Sequence, residues 1–158
     1  MNITLRPIKD TDLPVFFGHQ QHKPAQFMAA FVHEDPSDRK HFDAHWEKLM
    51  GSDSILKYSI EFDDELVGHI MSFDMFGDRE ITYWIDHRHW GKGIATAALL
   101  QFIEHEKTRP LNGRAAKDNA ASIRSMEKCG FVLTTEERGF ANARGEEIDE
   151  VVMVLVAN

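Results

Sequence analysis

A nine-residue stretch, HRHWGKGIA at positions 87–95, constrains this chain more than any other. It follows a β-branched and aromatic run, Ile81-Thr82-Tyr83-Trp84-Ile85, of strand type. It leads into an apolar run of helical period that starts at Ile94. Gly91 and Gly93 stand two apart, with Arg88 ahead of them and Lys92 between. Glycine lets a backbone approach an anion closely and adopt positive φ. The N–H groups of a loop and of a first helical turn have no intrahelical partners, and the helix dipole adds partial positive charge there. A strand, a basic glycine loop and a helix start therefore predict a pyrophosphate cradle.

The rest of the chain alternates strand and helix signals. Residues 2–8 alternate as a short strand with Pro7 at its end, and Asp10 or Thr11 caps a helix carrying Leu13, Val15, Phe16 and Phe17. Residues 22–36 predict a loop with a short helix at most. Ser37 or Asp38 caps a clearer helix to Met50. Strands are expected at 55–62, 66–73 and 80–85 as an antiparallel series. A helix from Ile94 to about Thr108 follows. Next come a strand at 111–116, a helix from Asn119 to Lys128 closed by Gly130, a strand at 131–137, a loop at 139–145 and a last apolar strand at 148–156. This order predicts one mixed α/β domain over 1–158.

Composition excludes some functions. A formal net charge of −8 argues against nucleic-acid binding, which needs basic surface. No apolar run approaches the length of a membrane span, so no membrane partner is expected. One cysteine, Cys129, forbids an intramolecular disulfide, and MNITLRPIKD lacks a signal-peptide core, so a cytoplasmic location is expected.

Two motifs carry a resemblance. Arg88-His89-Trp90-Gly91-Lys92-Gly93 matches the R/Q-x-x-G-x-G/A signature of the GNAT N-acetyltransferases without a gap. The stretch from Asn119 to Phe131, NAASIRSMEKCGF, resembles the N-x-x-S-x-R-x-x-E-K-x-G-F pattern of the branch containing the ribosomal-protein N-terminal acetyltransferases. Leu5-Arg6-Pro7, Asp12-Leu13-Pro14 and the strand beginning at Glu80 look like that branch too. The resemblance implies a GNAT fold: a mixed, mostly antiparallel sheet of six to seven strands, flanked by about four helices and splayed at a central parallel pair. It implies acetyl-CoA as cosubstrate and an amine acceptor, with no metal, in a monomer or homodimer. The pyrophosphate would rest on the N–H groups of Trp90, Gly91, Lys92, Gly93, Ile94 and Ala95, beside Arg88 and His89. Pantetheine would bond main-chain groups near Trp84 and Ile85. Asn119 would meet the pantetheine or position the acceptor, and Arg124 and Lys128 would approach the adenosine phosphate.

Transfer to an amine needs a proton acceptor, a polarised thioester carbonyl and a stabilised thiolate. Glu80 is the first candidate base, as the family often places a carboxylate on this strand; the alternative is an exposed strand-start glutamate paired with Arg79 or a neighbour. His69, His87 and His89 come next. The family's usual acid, a tyrosine, aligns with Met126, which leaves Ser122, Ser125 or solvent to protonate the thiolate. Cys129 reads as a small buried residue, so direct attack is expected. His41 and His45 share a helix face without a third ligand. Phe27, Met28, Phe31 and Trp46, with His19, His22, His33 and His45, are candidates for the acceptor wall. The contrasting function is an acyl-CoA sensor without catalysis, argued from the missing tyrosine.

Overall fold

The computed structural model describes residues 2–157. Seven strands form one sheet: β1 (Ile3–Arg6), β2 (Leu56–Phe62), β3 (Glu65–Met75), β4 (Asp78–Ile85), β5 (Leu111–Ala116), β6 (Val132–Ala141) and β7 (Glu146–Leu155). Their order across the sheet is β1-β2-β3-β4-β5-β7-β6. Every neighbouring pair is antiparallel except β4 and β5. Five helices flank the sheet: α1 (Leu13–His19), α2 (Lys23–Ala29), α3 (Arg39–Met50), α4 (Ile94–His105) and α5 (Ala120–Lys128). This is the GNAT fold, with five helices where about four were expected.

The strand alternation sorts the two faces. Ile81, Tyr83 and Ile85 of β4 turn towards α4 and α5, where Leu99, Phe102, Leu111, Met126 and Met153 are fully buried. Glu80, Thr82 and Trp84 turn to the other face, with Met71 and the α1 and α3 side chains Phe16, Phe42 and Trp46. The apolar stripe of α4 explains why that helix sits on the sheet: Ile94, Ala98, Leu99 and Phe102 recur at helical spacing and are all buried.

The stretch after His22 holds a short helix, α2, as the sequence allows, because the His22 ring nitrogen accepts from Ala25 N–H at 3.2 Å and Pro24 fits the first turn. Two later boundaries differ from the sequence reading. Helix α4 stops at His105, three residues early. There the chain leaves helical geometry at Glu106, whose carboxylate is buried against Arg79 and the Ser72 hydroxyl. Strand β6 runs on to Ala141 through the expected loop. It is an exposed edge strand whose polar residues pair across to β7, with Arg138 on Asp149 at 3.0 Å, so no apolar alternation marks it.

Candidate active site

The parallel pair makes the site. β4 and β5 pair only at Arg79–Leu111, Glu80–Asn112 and Ile81–Gly113. Beyond that point β4 keeps β3 as its neighbour through Ile85, and β5 keeps β7 through Ala116. Residues 82–85 therefore present an unpaired strand edge to a wedge. A cleft of about 1240 Å³ runs through the wedge, from the glycine loop and α5 on one face to α2 and α3 on the other.

At the top of the wedge the loop adopts the conformation its glycines permit. Gly91 has φ +79° and Gly93, the N-cap of α4, has φ +77°, both left-handed. A Cβ at Gly91 would meet nothing in the protein. The first intrahelical bond runs from Ala97 N–H to the Gly93 carbonyl, which leaves the N–H groups of Ile94 and Ala95 outside the helix ladder. Side chains brace the loop from behind. Asp86, 2% exposed, takes the Arg88 guanidinium at 2.7 Å, and Trp90 Nε1–H donates to the Ile85 carbonyl at 3.0 Å. Burial pushes the Asp86 carboxyl up, but hydrogen bonds from Arg88 bring it below the usual carboxylate range. His89 bonds Glu65 at 2.9 Å and Lys92 at 3.2 Å. Arg88, His89 and Lys92 thus serve as struts of the loop. Glu65, Asp86 and His89 bring possible ligand atoms within 4.8 Å of one another, yet Arg88 already neutralises Asp86.

On the α4/α5 face, Asn119 caps α5 by accepting from Ser122 N–H at 3.3 Å. Ser122 Oγ lies 2.7 Å from the Tyr83 hydroxyl. Burial raises the Tyr83 pKa, so its proton is firmly held. Ser125 Oγ is engaged by Thr96 at 3.2 Å, which ties α4 to α5. Arg124 and Lys128 are exposed along the cleft, and among the described residues neither forms an ion pair. Met126 is 1% exposed, and its sulfur would meet a Cβ at Gly113, so that position is core. The Cys129 thiol is pushed up to about 11 by burial and donates to the Thr96 carbonyl, which makes it a poor nucleophile.

On the opposite face Glu80 is 2% exposed and bonded by Arg114 Nε at 3.0 Å and Asn112 at 3.2 Å. Arg114 also holds Glu137 and Glu150, so one guanidinium faces three carboxylates. Burial raises the Glu150 pKa in that cluster. Glu80 pairs with Arg114, two strand positions beyond its partner Asn112, and not with Arg79, which goes to Glu106. Along an extended strand Glu80 lies about 7 Å from Thr82 and about 17 Å from Ile85. Its carboxylate reaches the lower part of the open edge through one water and cannot reach the upper part.

Histidines are gathered on this face. His69 is buried between Phe16 and Trp46, with ring centroids at 4.7 and 5.0 Å. Burial lowers its pKa to about 3, and burial also lowers those of His19 and His45. His33 stacks on His41 at 3.5 Å at the cleft margin, while His22 stacks on His87 at 3.5 Å behind the loop. Phe27 is 49% exposed under Arg144, so it belongs to the outer surface of α2. The turn after β6 clamps α2. Asn142 donates to the Val32 carbonyl at 2.7 Å, and Arg144 to the Phe27 carbonyl at 2.9 Å and to Asp118 at 2.7 Å.

The buried histidines set a pH limit on stability. An imidazole whose pKa falls on folding binds fewer protons in the native state. Its contribution is whole above the unfolded value near 6.5 and is lost as pH drops towards 3. Urea unfolding should therefore show stability falling below pH 6.5, with His69 alone giving a slope of about 1.4 kcal/mol per pH unit. His69→Leu should flatten that slope, and an unchanged slope would remove His69 as its source.

The sequence missed Tyr83, Arg114 and Arg144. Their partners lie 39, 34 and 26 positions away, and no local pattern signals them.

Comparison with known proteins places this geometry. Residues 2–132 match the family described as acetyltransferase (GNAT) domain. An uncharacterized N-acetyltransferase p20 of Bacillus licheniformis is 28% identical over 101 residues, which is 59% of this chain and 56% of that protein. The match thus spans little more than half of that relative's length. Spermidine N-acetyltransferase of Vibrio cholerae, solved with CoA and spermine, superposes with a TM-score of 0.81 at 16% identity over 98% of this chain and 95% of that one. Ribosomal-protein-alanine N-acetyltransferase of Brucella melitensis gives 0.80 at 20% identity over 98% and 99%. At these identities the structural likeness is one of fold. No helix among the described residues is long and apolar enough to cross a membrane.

Proposed function

The chain belongs to the GNAT acetyltransferase family, and from that premise we propose that it transfers an acetyl group from acetyl-CoA to a primary amine by direct attack on the thioester. The observation that carries this reading is the wedge at residues 82–85, an open strand edge directly below a left-handed glycine loop. The loop N–H groups from Gly91 to Ala95 hold the pyrophosphate; that of Trp90, expected among them, is taken by the His87 carbonyl at 3.2 Å. Main-chain groups at Trp84 and Ile85 bond the pantetheine, with Asn119 at the end of α5 beside it. Arg124 and Lys128 meet the adenosine phosphate as point charges. A main-chain N–H of the open edge polarises the thioester carbonyl.

The proton path uses both faces. The amine nitrogen forms the new N–C bond as the C–S bond breaks. Glu80 takes the amine proton through a water, held in place by Arg114 and Asn112. The departing thiolate lies on the Tyr83–Ser122 side, where the Ser122 hydroxyl, itself hydrogen-bonded to Tyr83, donates to it. Ser125 acts only by holding α5 to α4. The hydroxyl pair steadies the thiolate by hydrogen bonding and solvent supplies its proton, so the tyrosine absent at Met126, which was the argument for a sensor without catalysis, is not needed.

The acceptor we place in the class of N-terminal and related amines, on the motif at Asn119–Phe131 and the likeness in fold to an enzyme named for ribosomal-protein alanine. Thermal unfolding with CoA tests the donor half. A ligand at a hundredfold excess over its Kd stabilises the native state by about 2.7 kcal/mol, which is a rise of several degrees in Tm. No rise at millimolar CoA would defeat the reading.

A further inference from the structure

Glu80 and Glu150 both line the acceptor cleft and both bond Arg114, from different nitrogens of one guanidinium. Their surroundings differ. Glu80 has both oxygens engaged inside the protein: Oε1 accepts from Arg114 and Oε2 from Asn112, and its side chain is 3% exposed. Glu150 accepts from Arg114 at Oε1, at 3.2 Å. Among the described residues its Oε2 accepts no hydrogen bond, and its side chain is 18% exposed. One carboxylate of the pair thus keeps an open oxygen towards the cleft.

Register sets the height of each in the wedge. Glu80 stands opposite Asn112, where β4 and β5 still pair. Glu150 stands opposite Ala116, further along β5. Residues 112, 114 and 116 alternate onto one face, so Glu150 rises from the same face as Glu80, with Arg114 between them. From Asn112 to Ala116 an extended strand climbs about 13 Å. Counted on from the Ile81–Gly113 pair, Ala116 is level with Trp84. Glu150 is therefore level with the upper open edge, which the Glu80 carboxylate cannot reach.

The reaction has a task for a group in that place. An alkylamine has a pKa near that of lysine, about 10.4, so it arrives at neutral pH as an ammonium ion. An ammonium has no lone pair with which to attack. Transfer removes two protons from the nitrogen, one before the N–C bond forms and one as it forms. Glu80, through its water, serves the second. The charged groups that act on Glu150 are Arg114 of β5, Glu137 directly across on β6 and Glu80 of β4. Burial raises the Glu150 pKa, and Glu137 and Glu80 add to the rise against the pull of Arg114. A carboxylate so raised takes a proton from an ammonium more readily than an ordinary one.

We propose that Glu150 is a second catalytic carboxylate, which receives the acceptor as an ammonium ion on Oε2 and takes the first of its two protons. This rests on the acetyltransferase reading and adds a step to it. An N–H bond of the ammonium breaks, its proton forms an O–H bond on Glu150, and the electron pair left on nitrogen becomes the nucleophile. That pair forms the N–C bond as the C–S pair leaves with sulfur. The second proton passes through water to Glu80. Both carboxylic acids return their protons to solvent before the next turnover.

The test uses the full chain with saturating acetyl-CoA and two amines of similar shape: ethylamine, an ammonium ion at neutral pH, and trifluoroethylamine, which is mostly neutral there. Thiol release gives kcat/KM per total amine from about pH 7 to about pH 9. In the parent protein the value for ethylamine should stay level across that range, since the ammonium itself is taken up. Glu150→Gln should lower it by about 100-fold at neutral pH, and the deficit should shrink about tenfold per pH unit as free amine becomes available. With trifluoroethylamine the same variant should stay within about threefold of the parent, because that amine has no first proton to lose. Arg114 keeps Glu80 and Glu137, so the substitution leaves no unpaired cation. A lost structural contact, or a change in the basicity of Glu80, would lower both amines alike, and equal losses would overturn the proposal. A parent value for ethylamine that climbs about tenfold per pH unit would overturn it without any variant. Thiol release from neither amine, with CoA still raising Tm, would also overturn it. No rise in Tm with CoA would overturn the transferase reading beneath it.

Discussion

Gly91→Val is expected to raise the KM for acetyl-CoA by about 100-fold while the protein remains folded. The residue sits at φ +79°, where a β-branched side chain is strained by about 1–3 kcal/mol. A relaxed loop removes that strain by rotating its N–H groups out of the cradle, and each 1.4 kcal/mol lost there is tenfold in affinity. The Cβ meets open space, so no clash with the core obscures the result. Initial-rate kinetics with acetyl-CoA varied would check this, with Tm as the control for folding. A KM within threefold of the parent protein would show that the loop does not hold the donor.

Glu80→Gln is expected to lower kcat by about 10²–10³ with the KM for acetyl-CoA unchanged. Glutamine keeps the shape: its oxygen can accept from Arg114, and its NH2 can donate to the Asn112 amide oxygen once that amide turns over, so the bracing of β4 against β5 survives. It cannot take a proton. Arg114 retains two carboxylates, Glu137 and Glu150, so the variant leaves no unpaired buried cation. Unchanged kcat would return Glu80 to the role of a structural ion-pair partner. The reach argument then directs attention to the upper part of the open edge, beyond the carboxylate.

The donor half of the site was legible because it is local. The turn, its two left-handed glycines and the helix start occupy consecutive residues, and the physical demands of an anion cradle fall on those same residues. The strand ahead of it was legible for the same reason, since β-branched and aromatic residues mark it. The acceptor half is assembled from β3, β4, β5, β7 and α3, elements that lie far apart in the sequence. Neither Arg114 nor Glu150 is unusual in its own segment. Their meeting with Glu80 exists only in the register of β4, β5 and β7. Arg88 enters through the glycine-loop signature, whereas its partner Asp86, two residues away, which holds its guanidinium, is outside that signature. Edge strand β6 was cut short because solvent on both sides removes the apolar alternation that reveals strands.

The central claim is direct transfer from a donor held in the wedge to an amine on the opposite face. Intact-mass measurement combined with quantified thiol tests it most directly. The protein incubated with acetyl-CoA alone should keep its mass, because Cys129 is buried and held protonated. Addition of an amine should release free CoA thiol in one-to-one ratio with acetylated amine. An acetyl adduct on the protein that the amine then discharges, or thiol release with no acetylated amine, would contradict the account.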